Sequence, residues 1–453
     1  MVGEVCGSIP RSIYISVGAF VNHSPPTVSL PGLSSLSSPS ISSPLSIYTS
    51  LSVFLFCSIA LVVPSGYSLG ALMLLLGSVV LLIKRPALAL SRQDALVMLA
   101  MAAYALVGVL EAWWDGQGSS GMDKPLRLLL AVPALLLVMA YPPRLAWFWG
   151  GIAVGAIGAG GWGAWMKLIE EVARPGGYNN PIQFGNLSML LGVLCLAALG
   201  WAVTQRHRQL WVALFLMAAL FGMAGSLFSG SRGGWIGIPF ILLVVFRAYG
   251  GFLSKRMLAG LVGILLAGGL SVYAVPEVGV QARVNEAVEQ VQRYVAGDRS
   301  YSSVGARFEM WRGAGHLIAE KPLLGWGANG YAEAMQALAD EGLIIERAAE
   351  FGHAHNEFID SFAKRGLVGL VVLLAIYLVP MRFFAKEMDA SDLSLRATAT
   401  AGVLLSVTYI DFSLTQSFLS HNSGVMMYAF LLAVLWGLYS RQRKELVRGK
   451  PQT

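Results

Sequence analysis

The chain has 453 residues, of which 56% are hydrophobic and 13% are charged, and its net charge at pH 7 is +7. Soluble globular proteins carry about 25% charged residues. A chain with so few charges cannot keep its apolar surface out of water by folding on itself, so most of its length must lie in a bilayer. The composition excludes a soluble enzyme, a nucleic-acid-binding protein, a secreted disulfide scaffold and a disordered tail.

The first 46 residues differ from the rest of the chain. The stretch 24–46 is rich in serine and proline and lacks helical periodicity, which is typical of disordered segments. No basic region followed by an apolar stretch and a small-residue cleavage site is present, so we predict no signal peptide. No function is assigned to residues 1–46.

Twelve apolar segments have the length of a membrane span. A helix needs about 20 apolar residues to cross the hydrocarbon core, because its backbone must satisfy its own hydrogen bonds there. The segments lie near 47–64, 67–83, 95–112, 125–141, 145–166, 185–204, 209–228, 234–250, 257–275, 366–384, 397–415 and 423–440. We therefore predict an all-α integral membrane protein with about twelve transmembrane helices.

Basic residues concentrate in the short loops of one face. With both termini in the cytoplasm, seventeen Lys and Arg residues after the first span lie on the cytoplasmic side, against five in the short outer loops. Short cytoplasmic loops carry an excess of Lys and Arg, so this distribution predicts cytoplasmic termini. The five outer residues are Lys124, Arg127, Lys167, Arg174 and Arg232. The positive charge thus indicates topology, and no nucleic-acid partner is predicted.

Residues 276–365 form an outer loop far longer than a pair of antiparallel helices needs. The loop contains thirteen of the 25 acidic residues. Side chains at helical spacing recur within it and predict a small, mostly helical outer domain. These are Val284, Val288, Val291 and Val295, the pair Glu289 and Arg293, the stretch 305–320, and Tyr331, Met335 and Leu338 after an N-cap at Asn329.

The predicted organisation has five parts. A disordered segment is followed by nine spans, the outer domain, three spans and a basic cytoplasmic tail. Their bounds are 1–46, 47–275, 276–365, 366–440 and 441–453.

Polar side chains at the edge of a membrane are costly unless they are used, so polar clusters at the outer ends of the spans are candidate sites. The first cluster is the segment 229–235, in which Arg232 is flanked by glycines. An arginine so placed can bind phosphate in a bidentate manner, which lysine cannot. The alternative is an arginine that reaches to lipid headgroups from a tight turn.

The second cluster lies in the outer loop. Arg307 and Trp311 share one helix face at i,i+4, and Arg312 and His316 follow them. A basic helix face can contribute to an anion site. The alternative is a tryptophan that docks the helix and arginines that pair with neighbouring glutamates.

The third cluster is the glycine-rich segment 322–331. Glycines at 325, 327 and 330 have the spacing of a dinucleotide-binding turn, but no strand–turn–helix unit surrounds them. A turn that admits a bulky substrate beside Trp326 is one interpretation. A turn that merely links two helices is the other.

The fourth cluster contains His353, His355, Asn356 and Glu357, immediately before the tenth span. Side chains at i and i+2 of a helix point about 200° apart, so two such imidazoles do not share a metal ion on a helix. We predict no metal site and no cofactor. A histidine titrates near neutrality and can accept a proton from a hydroxyl, so proton transfer is the predicted use. The alternative is a histidine that only hydrogen-bonds nearby backbone.

Together the clusters resemble the O-antigen ligase/polymerase family of membrane glycosyltransferases. The resemblance covers roughly residues 47–440. Its strongest component is similar to the family's His-[Asn/Ser/Gln]-x9-Gly motif. The segments that carry it are Gly230-Ser231-Arg232-Gly233-Gly234-Trp235, Arg307-x-x-x-Trp311, the run Pro322 to Tyr331, and His355-Asn356 separated by nine residues from Gly366.

The resemblance implies a metal-independent, inverting glycosyltransferase at the periplasmic face of the bacterial inner membrane. It implies an undecaprenyl-diphosphate-linked glycan as donor and a sugar hydroxyl of lipid A–core as acceptor. His355 matches the family's proposed general base, and Arg232 and Arg307 match its diphosphate-binding arginines. Further substrate contacts are predicted at Arg312, Trp326, His353 and Asn356.

Four functions remain open at this point. The histidine motif favours the ligase. A polymerase that extends the same lipid-linked glycan, and an O-linked protein oligosaccharyltransferase, share the donor and differ in the acceptor. A transporter of the lipid-linked sugar shares the spans, but transporters are often built from two similar halves, and the sequence shows no such repeat.

Overall fold

The computed structural model describes residues 43–231, 233–252, 280–298 and 302–449. Within these ranges the regular elements are helices, which confirms the predicted all-α class. The α-helices, numbered in chain order among the described residues, are α1 Pro44–Ser58, α2 Gly66–Lys84, α3 Arg92–Trp114, α4 Gly118–Ala140, α5 Leu145–Leu168, α6 Pro181–Ala202, α7 Arg208–Ser229, α8 Ile238–Tyr249, α9 Val280–Val295, α10 Ser303–Glu320, α11 Ala328–Asp340, α12 Glu346–Ala349, α13 Glu357–Phe384, α14 Leu393–Thr415 and α15 Asn422–Gly449.

The chain is a multi-pass membrane protein. Eight described helices are long and apolar enough to cross a membrane: α2, α3, α5, α6, α7, α13, α14 and α15. Two shorter apolar helices, at Pro44–Ser58 and Gly233–Tyr249, coincide with predicted spans. The predicted span 257–275, and residues 1–42 of the segment predicted to be disordered, lie outside the described residues. The count of twelve spans therefore stays a prediction.

Helix α15 lies at the centre of the bundle. The most apolar 18-residue stretch of α15 is completely buried, whereas only 33% of the corresponding stretch is buried in α7 and in α13. It packs between α4 and α14. The leucines on the outer surface, such as Leu82 of α2 and Leu220 of α7, are 74% and 68% exposed and so face lipid.

Helices α9 to α12 and the start of α13 form an outer layer at one end of the bundle. The predicted stripe of Tyr331, Met335 and Leu338 is buried within a separate apolar core of this layer. Helix α9, Val280–Val295, covers the predicted valine stripe, and the predicted ion pair joins Glu289 and Arg293 at 2.5 Å. Val288, Val291 and Val295, however, do not face a core, because they are 50%, 38% and 79% exposed.

A break in α13 joins the outer layer to the bundle. At Gly366 the backbone leaves the helical conformation, with φ 63° and ψ −161°. Four backbone hydrogen bonds then form with the segment 322–327 instead of along the helix. Trp326 and Gly327 donate to the carbonyls of Ala363 and Lys364, and Leu367 and Val368 donate to those of Pro322 and Leu323. The backbone groups at the break thus find partners, as buried backbone requires.

Glycine is required at both sides of this junction. A Cβ on Gly366 would lie 2.2 Å from the backbone of Leu323, and a Cβ on Gly325 would lie 2.4 Å from that of Lys364. Both glycines have positive φ, which residues with a side chain rarely adopt. Gly366, the glycine of the His-[Asn/Ser/Gln]-x9-Gly motif, and Gly325 of the glycine-rich segment therefore lie on opposite sides of one backbone junction.

The prediction of an N-cap at Asn329 is wrong, and the start of α11 is instead joined to the end of α3. The N-cap of α11 is Gly327, and Asn329 lies inside the helix. The acceptor for its first N–H groups comes from Asp115, just after α3. Asn329 N donates to Asp115 Oδ2 over 2.8 Å, and Asn329 Nδ2 donates to the Asp115 carbonyl over 2.7 Å. A carboxylate at a helix N-terminus also interacts favourably with the helix dipole.

Candidate active site

The segment that carries the two histidines is held to the start of α13. Asp360 Oδ1 accepts a hydrogen bond from Ala354 N over 3.0 Å. Lys364, one turn further along, pairs with Asp360 and donates to the carbonyl of Gly352 over 2.8 Å. Trp311 of α10 donates from its indole to the Ala354 carbonyl over 2.9 Å. The histidine segment is therefore fixed from two helices.

His355 has a left-handed backbone, with φ 48°. This conformation costs a residue with a side chain about 1–2 kcal/mol. The bonds around Ala354 maintain it, and strain of this kind is concentrated at functional sites. The ring is half-buried and lies 4.2 Å from the ring of His353, measured between centroids.

The imidazole of His355 is hydrogen-bonded to an amide. Its Nδ1 contacts Oε1 of Gln416, the residue that follows α14. Because an amide oxygen only accepts hydrogen bonds, Nδ1 carries the hydrogen in this arrangement. A neutral ring with hydrogen on Nδ1 has a lone pair on Nε2, which is the state that a general base needs.

Both histidines are shifted toward the neutral form. Burial lowers the pKa of His355. The hydrogen bond that its Nδ1 donates to Gln416 opposes this shift, the charge of Arg307 adds to it, and the charge of Asp360 opposes it. Burial, and secondly His355, lowers the pKa of His353 to about 4. His355 is therefore unprotonated at neutral pH and able to accept a proton.

The structure places the helix that carries Arg307 and Trp311 beside the segment that carries His353 and His355. Arg307 and Trp311 lie one turn apart on α10. The charge of Arg307 is close enough to His355 to lower its pKa, and the indole of Trp311 contacts the residue before His355. Arg312 lies 3.9 Å from Glu309, and Glu309 itself is fully buried. The arginine–tryptophan face thus points toward the histidine segment, while Arg312 has a partner within its own helix.

Trp326 and Asn356 have contacts that stabilise the fold. Trp326 donates to the Leu317 carbonyl over 2.9 Å, and Lys321 Nζ lies 3.5 Å from its ring centroid. A cavity of about 510 Å³ lies beside this indole. Asn356 caps α13 by accepting from Phe358 N and Ile359 N, at 3.0 and 3.1 Å. Substrate contact by these side chains stays a prediction.

Arg232 lies outside the described residues, but its neighbours are placed. Ser231 Oγ donates to Asn186 Oδ1 over 3.1 Å. A Cβ on Gly233 would approach Oγ1 of Thr415 to 2.2 Å. Thr415 directly precedes Gln416, the partner of His355. The chain just before position 232 therefore contacts α6, and the chain just after it runs beside the end of α14.

Three side chains of the site were not predicted from the sequence. These are Gln416, Asp360 and Lys364. The i,i+4 spacing of Asp360 and Lys364 is a usable signal for an ion pair. Gln416 stands at the polar end of an apolar span, which is the position expected of a functional polar residue. No side-chain pattern in the sequence connects it to His355.

The part of the chain that the structure describes contains no group of three His, Cys, Asp or Glu side chains that could hold a metal ion. A third imidazole, that of His421, has its Nε2 2.9 Å from Nε2 of Gln416. The amide thus occupies the space between the two imidazoles.

Comparison with known proteins identifies similar sequences. Residues 217–374 match the family described as O-Antigen ligase. The matched segment contains Arg232, Arg307, His355 and Gly366, and it ends before Gln416. An uncharacterized protein of Haemophilus influenzae is 29% identical over 381 residues, which are 83% of this chain and 95% of that protein. An O-antigen ligase of Escherichia coli is 26% identical over 221 residues, which are 48% of this chain and 51% of that ligase.

Proposed function

We propose that this chain, of which residues 217–374 match the family described as O-Antigen ligase, transfers a glycan from undecaprenyl diphosphate to a sugar hydroxyl of lipid A–core. We further propose that it crosses the bacterial inner membrane twelve times, with both termini in the cytoplasm and the site on the periplasmic face. The observation that carries the proposal is the position of His355, whose Nδ1 is bonded to Gln416 and whose pKa is lowered by burial and by the nearby charge of Arg307.

The reaction needs a base on one side of the anomeric carbon and cations on the other. His355 Nε2 takes the proton of the acceptor hydroxyl as its oxygen bonds to the anomeric carbon. The bond from that carbon to the diphosphate breaks with inversion, and the electron pair leaves on the diphosphate. Arg232 and Arg307 neutralise the departing charge. A positioned base contributes about 10²–10⁴-fold to rate, and pre-placed charges at the leaving oxygen contribute further.

Expression in a ligase-deficient Gram-negative strain tests the function. We expect long-chain lipopolysaccharide ladders to return, because the acceptor and the lipid-linked donor accumulate in such a strain. Ladders that change only in length would instead indicate a polymerase. Glycosylated protein would indicate an oligosaccharyltransferase, and lipid-linked glycan that moves without being transferred would indicate a transporter.

Replacing Arg232 by lysine tests the diphosphate contact. Lysine keeps the charge but cannot form two parallel hydrogen bonds to phosphate. We expect transfer to fall about 10–100-fold, the effect of losing one hydrogen bond to a charged group. The rate of glycan transfer by membranes with matched protein levels measures this. Arg293→Lys, on the exposed face of α9, is the control and should leave the rate unchanged. An unchanged rate in Arg232→Lys would favour an arginine that only contacts lipid headgroups.

A further inference from the structure

One buried amide lies between two imidazoles at the candidate site. Gln416 is 3% exposed and continues from the end of α14 as extended backbone. Its Oε1 contacts Nδ1 of His355, and its Nε2 lies 2.9 Å from Nε2 of His421. His355 and His421 come from opposite sides of this amide, one before α13 and the other before α15. The three side chains form a single hydrogen-bonded row.

The two ends of the amide impose opposite roles on the two rings. The carbonyl oxygen only accepts, so His355 donates from Nδ1. The amino group donates, so His421 Nε2 accepts and that ring is neutral. A 180° rotation of the Gln416 amide would exchange its oxygen and nitrogen and break both hydrogen bonds. The bonds could re-form only if both histidines changed tautomer together. The row therefore couples the tautomers of the two histidines, and with the amide oriented as in this structure His355 carries its hydrogen on Nδ1.

We propose that Gln416 is a positioning residue for the general base, holding His355 as the Nδ1–H tautomer so that the lone pair is on Nε2. This proposal rests on the proposed function, in which His355 deprotonates the acceptor hydroxyl. When Nε2 accepts that proton, the Nδ1–H bond to Oε1 remains and becomes charge-assisted, which strengthens it. An amide supports both states of the ring without adding a negative charge beside a diphosphate.

Other charged and titratable groups surround the row and set its pH dependence. Arg307 faces His355 from α10, and Asp360 faces it from α13. The charge of Lys364 of α13 adds to the effect of burial in lowering the pKa of His353, which lies next to His355 in the same segment. The charge of Lys124 of α4 adds to the effect of burial in lowering the pKa of His421. Burial lowers the pKa of His421, as it does for the two other histidines, so the row stays neutral near pH 7.

Nitrogen NMR of the ¹⁵N-histidine-labelled protein tests the tautomer without reference to activity. The chain has six histidines, and the signals that His355→Ala removes belong to His355. We expect the unsubstituted protein to show hydrogen on Nδ1 of His355 and Gln416→Leu to show a mixture of both tautomers. Hydrogen on Nε2 in the unsubstituted protein, or an unchanged His355 signal in Gln416→Leu, would overturn the proposal.

Kinetics with two variants test the consequence for transfer. Gln416→Leu should lower kcat with little change in KM for the undecaprenyl-diphosphate-linked donor, and by no more than His355→Ala does. Gln416→Glu preserves the shape and an acceptor oxygen, and its charge should move the acidic limb of the pH–rate profile upward by about 1–3 pH units. Adding Gln416→Leu to His355→Ala should cause no further loss, because one residue acts through the other.

The control is Gln205→Leu, because Gln205 bonds Trp201 and Thr204 at the opposite end of the bundle. It should keep the kcat and pH profile of the unsubstituted protein. Should His355→Ala retain activity, the proposed function fails. Should His355→Ala be inactive while both Gln416 variants keep the original kcat and pH profile, the positioning role alone fails.

Discussion

Replacing His355 by alanine should lower glycan transfer by about 10²–10⁴-fold, the contribution of a positioned general base. The reason is that His355 is the neutral imidazole beside Arg307, with its Nδ1 already bonded to Gln416. His353 does not substitute for it, because burial lowers its pKa to about 4 and so makes it a much weaker base. Initial rates with purified protein, lipid-linked donor and lipid A–core acceptor measure the loss.

His316→Ala is the matched control for this experiment. His316 is exposed on α10, in the same outer layer as the site. Its replacement should leave the rate and the amount of inserted protein unchanged. A His355→Ala protein that is inserted normally and transfers glycan at the original rate would refute the assignment of the base.

Replacing Gly366 by alanine should strongly destabilise the protein. The backbone of Gly366, with φ 63° and ψ −161°, lies in a region that is essentially restricted to glycine and costs about 1–3 kcal/mol once a Cβ is present. The Cβ would also lie 2.2 Å from the Leu323 carbonyl, and overpacking of this kind costs about 1–3 kcal/mol. Either the four backbone bonds to the segment 322–327 break or the helix shifts. Thermal unfolding in detergent measures the change in melting temperature.

Gly315→Ala gives the opposite expectation in the same layer. Gly315 lies inside α10 and is exposed, and a Cβ added to it would meet no other described part of the protein within 4 Å. Alanine is the better helix former by about 0.5–1 kcal/mol. The melting temperature should therefore stay equal or rise slightly. Equal melting temperatures for Gly366→Ala and Gly315→Ala would contradict the role assigned to the break.

The sequence was a good guide to elements whose cause is local. A run of about 20 apolar residues suffices to place a span, and the predicted segments coincide with described helices except for 257–275, which lies outside the described residues. The helices of the outer layer were predicted from side-chain spacing alone. The exposure of the valine stripe of α9 could not be predicted in this way, because periodicity indicates a helix but does not indicate what covers its apolar face.

The site depended on contacts between residues far apart in the chain. His355 and Gln416 are 61 residues apart, and Asp115 and Asn329 are 214 apart. The motif drew attention to His355 and Gly366, but it did not indicate that Gly366 serves a backbone junction. Asn329 had the composition of an N-cap, and the carboxylate of Asp115 occupies that role instead. Such partners are set by tertiary packing, on which local spacing carries no information.

The junction at Gly366 also limits how the molecule can be divided. A recombinant fragment covering 276–365 would retain the carbonyls of Pro322 and Leu323 but lose their donors. The complementary piece would retain the amides of Leu367 and Val368 but lose their acceptors. Each piece would then lose the hydrogen-bond partners of two backbone groups that are paired in the intact chain. Helices α9 to α12 are thus tied to the bundle through the backbone itself, and antibodies against this layer are best raised against the intact chain.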